Sequence, residues 1–171
     1  MERWDLYDKD RTLTGETLER GQPIPAGRYH LVVHAVVFDR AGRMLIQQRQ
    51  PFKEGWPNLW DVTAGGSAVM GETSAQAAAR ELMEEIGLPL DFSAHTPALT
   101  IYYDVCFDDV YVVTRDVDPS TLVLQPEEVQ AVRWATEEEV MSMLDDGTFI
   151  PYHRGYLDLL FRLQRQRGVL Q

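Results

Sequence analysis

From Gly66 to Leu88 the chain reads GSAVMGETSAQAAARELMEEIGL, a stretch marked for a helix at both ends whose last turns carry Glu81, Glu84 and Glu85 beside a single arginine. Thr73 followed by Gln76 is a capping-box pattern and Gly87 is placed as a C-cap, so the spacing predicts a helix over about 74–86. The three glutamates then stand near the negative end of the helix macrodipole. Like charges at helical spacing add a penalty of about 0.2–0.5 kcal/mol per pair. Ala75, Ala78, Ala79, Leu82 and Ile86 form one apolar stripe, with Glu81, Glu84 and Glu85 sharing the outward side. Such a helix is costly unless a cation offsets the charge. Carboxylates facing a glycine loop whose carbonyls can approach closely make an oxygen-rich site suited to Mg²⁺ or Mn²⁺ rather than zinc.

The rest of the chain reads as a scaffold for that segment. At 171 residues, 44% hydrophobic and 25% charged, it is expected to fold as a single domain. RWDLY and TLTGE flank the turn signal DKDR, which gives residues 1–28 as an N-terminal hairpin and connection and 29–171 as the core. YHLVVHAVVFD and RMLIQQR flank RAG as a second hairpin, its first strand buried on both faces. KEGWPNL reads as a loop, WDVT as a short strand and 64–71 as a glycine-bearing loop. ALTIYYDVCF and DVYVVTRDV form a strand pair, and VQAVRW a further short strand. Thr136 caps a helix over EEEVMSMLDD that Gly147 ends, and 152–166 is an amphipathic helix. The expected class is α/β: a mixed sheet with helices on both sides, an α/β/α sandwich.

Composition narrows the partners. A net charge of -11 disfavours a nucleic-acid polymer. The longest apolar run, LVVHAVVF, falls far short of the roughly 20 residues that span a bilayer. Cys106 has no internal disulfide partner, and MERWDLYDKD lacks the basic start and apolar run of a signal peptide, so the cytoplasm is the expected compartment. A homodimer is left open.

The segment resembles the Nudix hydrolases, whose box is Gly, five residues, Glu, seven residues, then Arg-Glu-aliphatic-x-Glu-Glu-x-Gly-aliphatic. Gly66, Glu72, Arg80, Glu81, Leu82, Glu84, Glu85, Gly87 and Leu88 meet it without a mismatch; seven fixed identities put chance at about 1 in 10⁸. The resemblance implies a Nudix-type sandwich and metal-dependent cleavage of a diphosphate linkage in a nucleoside diphosphate derivative or related small molecule. It implies Glu84 and Glu85 as metal ligands, Glu81 as a ligand or as the base, Arg80 as orienting the carboxylates, a backbone carbonyl from Gly65 or Gly66, and Glu72 closing the acid cluster. Glu128, six residues before Trp134, matches a metal-binding or basic glutamate of some members; the alternative is a solvated strand start.

A second likeness is to the isopentenyl-diphosphate isomerase branch, carried by Arg49, Lys53, Trp56 and Pro57, where the cations contact diphosphate. Its catalytic Cys and a metal-binding His fall here on Gly65 and Ser67, and no paired glutamate is found in the region, so isomerase is the alternative to hydrolase. A non-catalytic metabolite sensor is the third reading, and an intact box argues against it. His30 is a further metal candidate by this likeness, although His30 and His34 on a buried strand are expected as core groups. Trp56, Trp60, Tyr102 and Tyr103 are expected mainly as packing residues.

Overall fold

The computed structural model describes residues 2–166. The elements are β1 (Arg3–Tyr7), β2 (Leu13–Glu19), β3 (His30–Phe38), β4 (Met44–Arg49), β5 (Trp60–Asp61), β6 (Ala64–Ser67), α1 (Ser74–Ile86), β7 (Leu99–Tyr102), β8 (Cys106–Thr114), β9 (Val129–Ala135), α2 (Glu137–Asp145) and α3 (Arg154–Arg165). The first two strands form an antiparallel hairpin and the other seven one mixed sheet. Helix α1 lies on one face, α2 and α3 on the other. Among the described residues no helix is long and apolar enough to cross a membrane.

Strand β3 organises this sheet, pairing in parallel with β8 from His30–Cys106 to Phe38–Thr114. Its side chains divide between two cores, as the pleat requires. Val33, Ala35 and Val37 pack with Leu45 and Tyr111 against Ala78, Leu82 and Ile86 of α1. Val36 and Phe38 pack with Ile46 and Val112 against Val140, Leu157 and Phe161 of the opposite helices.

The expected β3–β4 hairpin holds only at its turn. Phe38 and Met44 pair, and then the strands part: β3 takes β6 along Val32–Ala35, while β4 takes β5 and β9. Thr63 fills the split. Its Oγ1 accepts from the Val37 N–H at 2.9 Å, and its hydroxyl donates to the Leu45 carbonyl at 2.5 Å, satisfying backbone groups that no longer meet each other. Half of the stretch expected as a glycine loop, 64–67, is therefore strand. A second correction concerns Cys106 and Phe107, which begin β8 instead of ending the preceding strand. The acidic Asp108-Asp109 pair reads like a turn, yet both residues are buried within β8, where His34 and Arg11 hold their carboxylates.

The N-terminal hairpin is docked on the sheet. Tyr7 and Tyr29 exchange backbone hydrogen bonds of 2.8 and 2.9 Å, Trp4 stacks on His30 at 4.3 Å, and Arg11 makes a two-pronged pair with Asp109 at 3.0 and 2.7 Å. The limits of α1 match the sequence expectation because both caps form: the Thr73–Gln76 box closes, and Gly87 adopts φ +67°, a conformation open to glycine.

Candidate active site

Glu81, Glu84 and Glu85 do not share one outward side. The Glu84 side chain is half exposed, whereas Glu85 is only 6% exposed and faces the sheet. Residue 85 follows Leu82 by three and Ala78 by seven, so helical geometry sets it on the packed face. Charge alone marked it wrongly as solvent-facing. On that face Gln47 of β4 donates to Glu85 Oε2 at 2.8 Å, and the Gly65 N–H reaches the same oxygen at 3.4 Å. Burial first, then the charge of Glu81, pushes Glu85 up to about 8, against the Gln47 hydrogen bond. Burial also raises Glu81, against the attraction of Arg80.

Arg80 occupies the space among the other carboxylates. Its Nε and Nη2 fork onto Glu72 at 2.7 and 3.0 Å, and Nη1 donates to Glu81 at 2.9 Å and Glu84 at 3.0 Å. Nη2 also donates to the Ser67 carbonyl at 3.1 Å. Glu72 is fixed in turn by the Val69 N–H at 2.9 Å. Among the described residues no three His, Cys, Asp or Glu side chains stand as a ready metal cage, since the guanidinium takes that place. The donors nevertheless suit a hard divalent cation: all are oxygens, and one carboxylate is buried with only neutral N–H partners. At Gly66 a Cβ would fall 2.4 Å from Glu81 Oε1, so only glycine lets the β6 backbone reach this carboxylate.

Gly65, Gly66, Arg80, Glu81, Glu84 and Glu85 line a pocket of about 260 Å³ together with Arg49, Lys53 and Glu128, whereas Glu72 stands behind Arg80 and does not line it. Glu128 arrives through the chain before β9, where the Gln125 N–H donates to the Glu85 carbonyl and the Gln50 N–H to the Glu128 carbonyl, each at 2.9 Å. Its Oε2 pairs with Lys53 Nζ at 2.5 Å. Arg49 donates to the Gly55 carbonyl at 2.9 Å and lies 3.8 Å from Asp61. Both cations keep only about a fifth of their side chains exposed, 21% and 22%, unlike freely solvated surface charges. A larger cleft, about 490 Å³, runs along Phe92, Val113 and Leu163 and contains no box residue.

Sequence reasoning missed Gln47, Arg20 and Glu2. Gln47 had a signal, a polar side chain amid the apolar run of β4. Arg20 and Glu2, paired at 3.0 Å, reach the pocket wall from the N-terminal hairpin, and only its docking brings them there. His30 is buried against Trp4, its Nδ1 without a hydrogen-bond partner. The aromatic expectation is corrected: Trp60 lies under Arg133, but Trp56, Tyr102 and Tyr103 are at least half exposed.

His34 lies beside the pocket and is paired with Asp108 at 2.7 Å. Burial pulls it down, but the charge and hydrogen bond of Asp108, helped by Asp61 and Glu85, push it up to about 9. Since the folded value lies above the unfolded one near 6.5, this stabilisation is complete below about pH 6.5 and is lost as pH rises through about 9. It amounts to about 3 kcal/mol at most. Thermal melting is expected to show a larger loss of Tm between about pH 6 and about pH 10 in the wild type than in His34→Gln; parallel losses would contradict the pairing.

The NUDIX domain pattern matches residues 28–158. The chain belongs to the Nudix family. Nudix hydrolases cleave phosphoric anhydride bonds in small molecules, generally with a divalent metal. A Nudix hydrolase of Listeria monocytogenes is 46% identical over 169 residues, 99% of each chain. An isopentenyl-diphosphate Delta-isomerase of Nocardia farcinica is 32% identical over 144 residues, 78% of this chain and 79% of that one. The crystal structure of a Deinococcus radiodurans protein, DR0079, superposes with a TM-score of 0.72 at 25% identity, over 94% of this chain and 98% of that one. The matched pattern begins after the N-terminal hairpin, whereas the Listeria match extends across nearly the whole chain.

Proposed function

We propose that this Nudix hydrolase uses Mg²⁺ or Mn²⁺ to cleave the diphosphate linkage of a small organic diphosphate, such as a nucleoside diphosphate derivative. The observation that carries this reading is the meeting in one pocket of the α1 carboxylates with Arg49 and Lys53. Glu81, Glu84 and Glu85, with the Gly66 carbonyl, would hold the cation, and Glu72 closes the set through Arg80. When bound, the cation supplies positive charge that offsets the phosphates and polarises their oxygens. Arg49 and Lys53 bind phosphate oxygens. Lys53 exchanges Glu128 for substrate, which leaves either Glu128 or Glu81 to take the proton of the attacking water. The products are two phosphate-ended fragments.

Arg49→Ala is expected to raise KM about ten- to a hundredfold, the scale of a charged hydrogen bond, with little change in kcat. Steady-state kinetics on the best substrate check this, and an unchanged KM would remove Arg49 from the phosphate site.

The Nocardia relative favours isomerase as a second reading. An allylic proton shift needs groups on both faces of the substrate. Asp108 supplies a buried carboxylate on β8, held against His34 on the strand next to Gly65, but residue 65 has no thiol. Cys106 stands at the start of β8 opposite His30 in the strand register, and burial and then Asp108 push its thiol up to about 11. Product analysis after incubation with Mg²⁺ separates the readings: phosphate-ended fragments from a diphosphate panel support hydrolysis, whereas dimethylallyl diphosphate formed catalytically from isopentenyl diphosphate would replace it.

A further inference from the structure

Strand β8 is nine residues long and its neighbour β7 only four, so part of one β8 edge has no strand beside it. Their pairing ends at Leu99–Val110. Continued by two residues, that register would set Pro97 against Val112, and proline has no N–H to give to a ladder. Two hydrogen bonds identify the open edge. The Phe38 carbonyl of β3 accepts from the Arg115 N–H at 2.7 Å, and on the opposite side the Val110 carbonyl accepts from the Ala98 N–H at 2.7 Å. Main-chain groups alternate in direction along a strand, so those of Val112 and Thr114 point away from β3, as those of Val110 do. Among the described residues none of them meets a hydrogen-bond partner. Val112 is 8% exposed, so water reaches little of it, and an unpaired main-chain group there is costly.

This edge lies in the cleft of about 490 Å³, which Leu90 and Phe92 line from the segment before β7, and Leu163 and Gln164 from α3. His95 Nδ1 and Gln164 Oε1, on either side, are buried without hydrogen-bond partners. The charges around the cleft are unequal. Asp91 accepts from the Ser93 N–H and hydroxyl at 2.8 and 2.9 Å, and Arg165 pairs with Glu137 at 2.8 Å. Arg115 is exposed, and among the described residues its side chain has neither an ion pair nor a hydrogen bond. A free cation thus marks this cleft in a chain whose net charge is -11.

We propose that the cleft docks an extended peptide of another protein, which adds as a strand along Val112–Thr114, sets apolar side chains against Phe92 and Leu163, and brings a carboxylate to Arg115. An open sheet edge is a template for such a strand: main-chain hydrogen bonds supply affinity, and the flanking side chains supply selectivity. The free cation sets the sign of the partner's charge. A second copy of this chain fits less well, because its own β8 edge is enclosed by the same walls and two enclosed edges cannot meet. The cleft shares no lining residue with the diphosphate pocket, so the proposal stands independently of the hydrolytic reading.

The probe is the peptide acetyl-Glu-Val-Leu-Val-Glu-amide, titrated into the ¹⁵N-labelled full chain and followed by NMR. Beside it stand a version N-methylated at its three central amides and one with lysine in place of both glutamates. Saturable shifts centred on Val112, Thr114 and Arg115 are expected, with Kd below about 5 mM. N-methylation should weaken binding at least about tenfold, because it removes main-chain donors, and lysine should weaken it about fivefold or more. Arg115→Glu, at an exposed position, should reverse the preference so that the lysine peptide binds better. Arg49→Ala should bind the peptide as the wild type does. No saturable shift at these residues up to about 5 mM, equal binding of the N-methylated peptide, or a preference unmoved by Arg115→Glu would overturn the proposal. Loss of binding in Arg49→Ala would overturn it as well, by placing the glutamates in the diphosphate pocket. So would binding that occurs only in a chain shortened to end at Gln166, since the cleft would then be taken by residues 167–171.

Discussion

Glu85→Gln is expected to lower kcat by about a hundredfold or more while leaving the metal-free protein at least as stable as the wild type. Both outcomes follow from where the carboxylate sits. Glutamine fills the same volume and can still accept from Gln47 or Gly65, so packing between α1 and β4 survives. The wild-type group is raised from an ordinary 4.5 to about 8. Its folded form thus holds a proton that the unfolded chain releases, and the associated stability is present below about pH 4.5 and lost as pH rises through about 8. At neutral pH the loss is on the order of 3 kcal/mol, which glutamine avoids. Metal-free Tm should therefore stay level or rise by a few degrees, whereas the stabilisation given by millimolar Mg²⁺, RT ln(1 + [L]/Kd), should largely vanish. Calorimetry with and without Mg²⁺, beside the kinetics, measures all three. A full rate with an unchanged Mg²⁺ shift would remove Glu85 from the site.

Arg80→Ala has the opposite signature. The guanidinium neutralises Glu72, Glu81 and Glu84 and anchors them to Ser67. Breaking a fully buried pair costs about 3–5 kcal/mol, but this cluster is partly open to water, so about 2 kcal/mol is expected. That corresponds to a fall in Tm of about 4–8 °C for a chain of this size. Mg²⁺ should recover part of it by neutralising the same carboxylates, and Arg80→Lys should recover less than half because an ammonium cannot fork onto Glu72. Activity should fall with both substitutions. A Tm equal to wild type would show that the acids do not need the guanidinium.

Much of this was legible in the sequence where local chemistry decides structure. The limits of α1 were readable because Thr73, Gln76 and Gly87 act within one turn of the helix ends. The two-sided burial of β3 was readable from its continuous apolar run. The departures are tertiary in origin. Glu85 was placed outside because charge usually marks the wet face, although its spacing from Ala78 and Leu82 already set it inside. The parting of β3 and β4 depends on Thr63 and on β6 as competing partners. Glu128 could be named from its distance to Trp134, but its pairing with Lys53 depends on two loops meeting beside the end of α1. Arg20 had no local signal because the hairpin's docking through Trp4, Tyr7 and Arg11 places it.

The most direct test of metal-dependent diphosphate cleavage is release of phosphate-ended products from a diphosphate panel by metal-stripped protein, before and after Mg²⁺ or Mn²⁺ is restored, with Glu85→Gln alongside. The account predicts no turnover in chelator, recovery with either cation, and no comparable recovery in the variant. Full turnover in excess chelator, or equal recovery in Glu85→Gln, would contradict it.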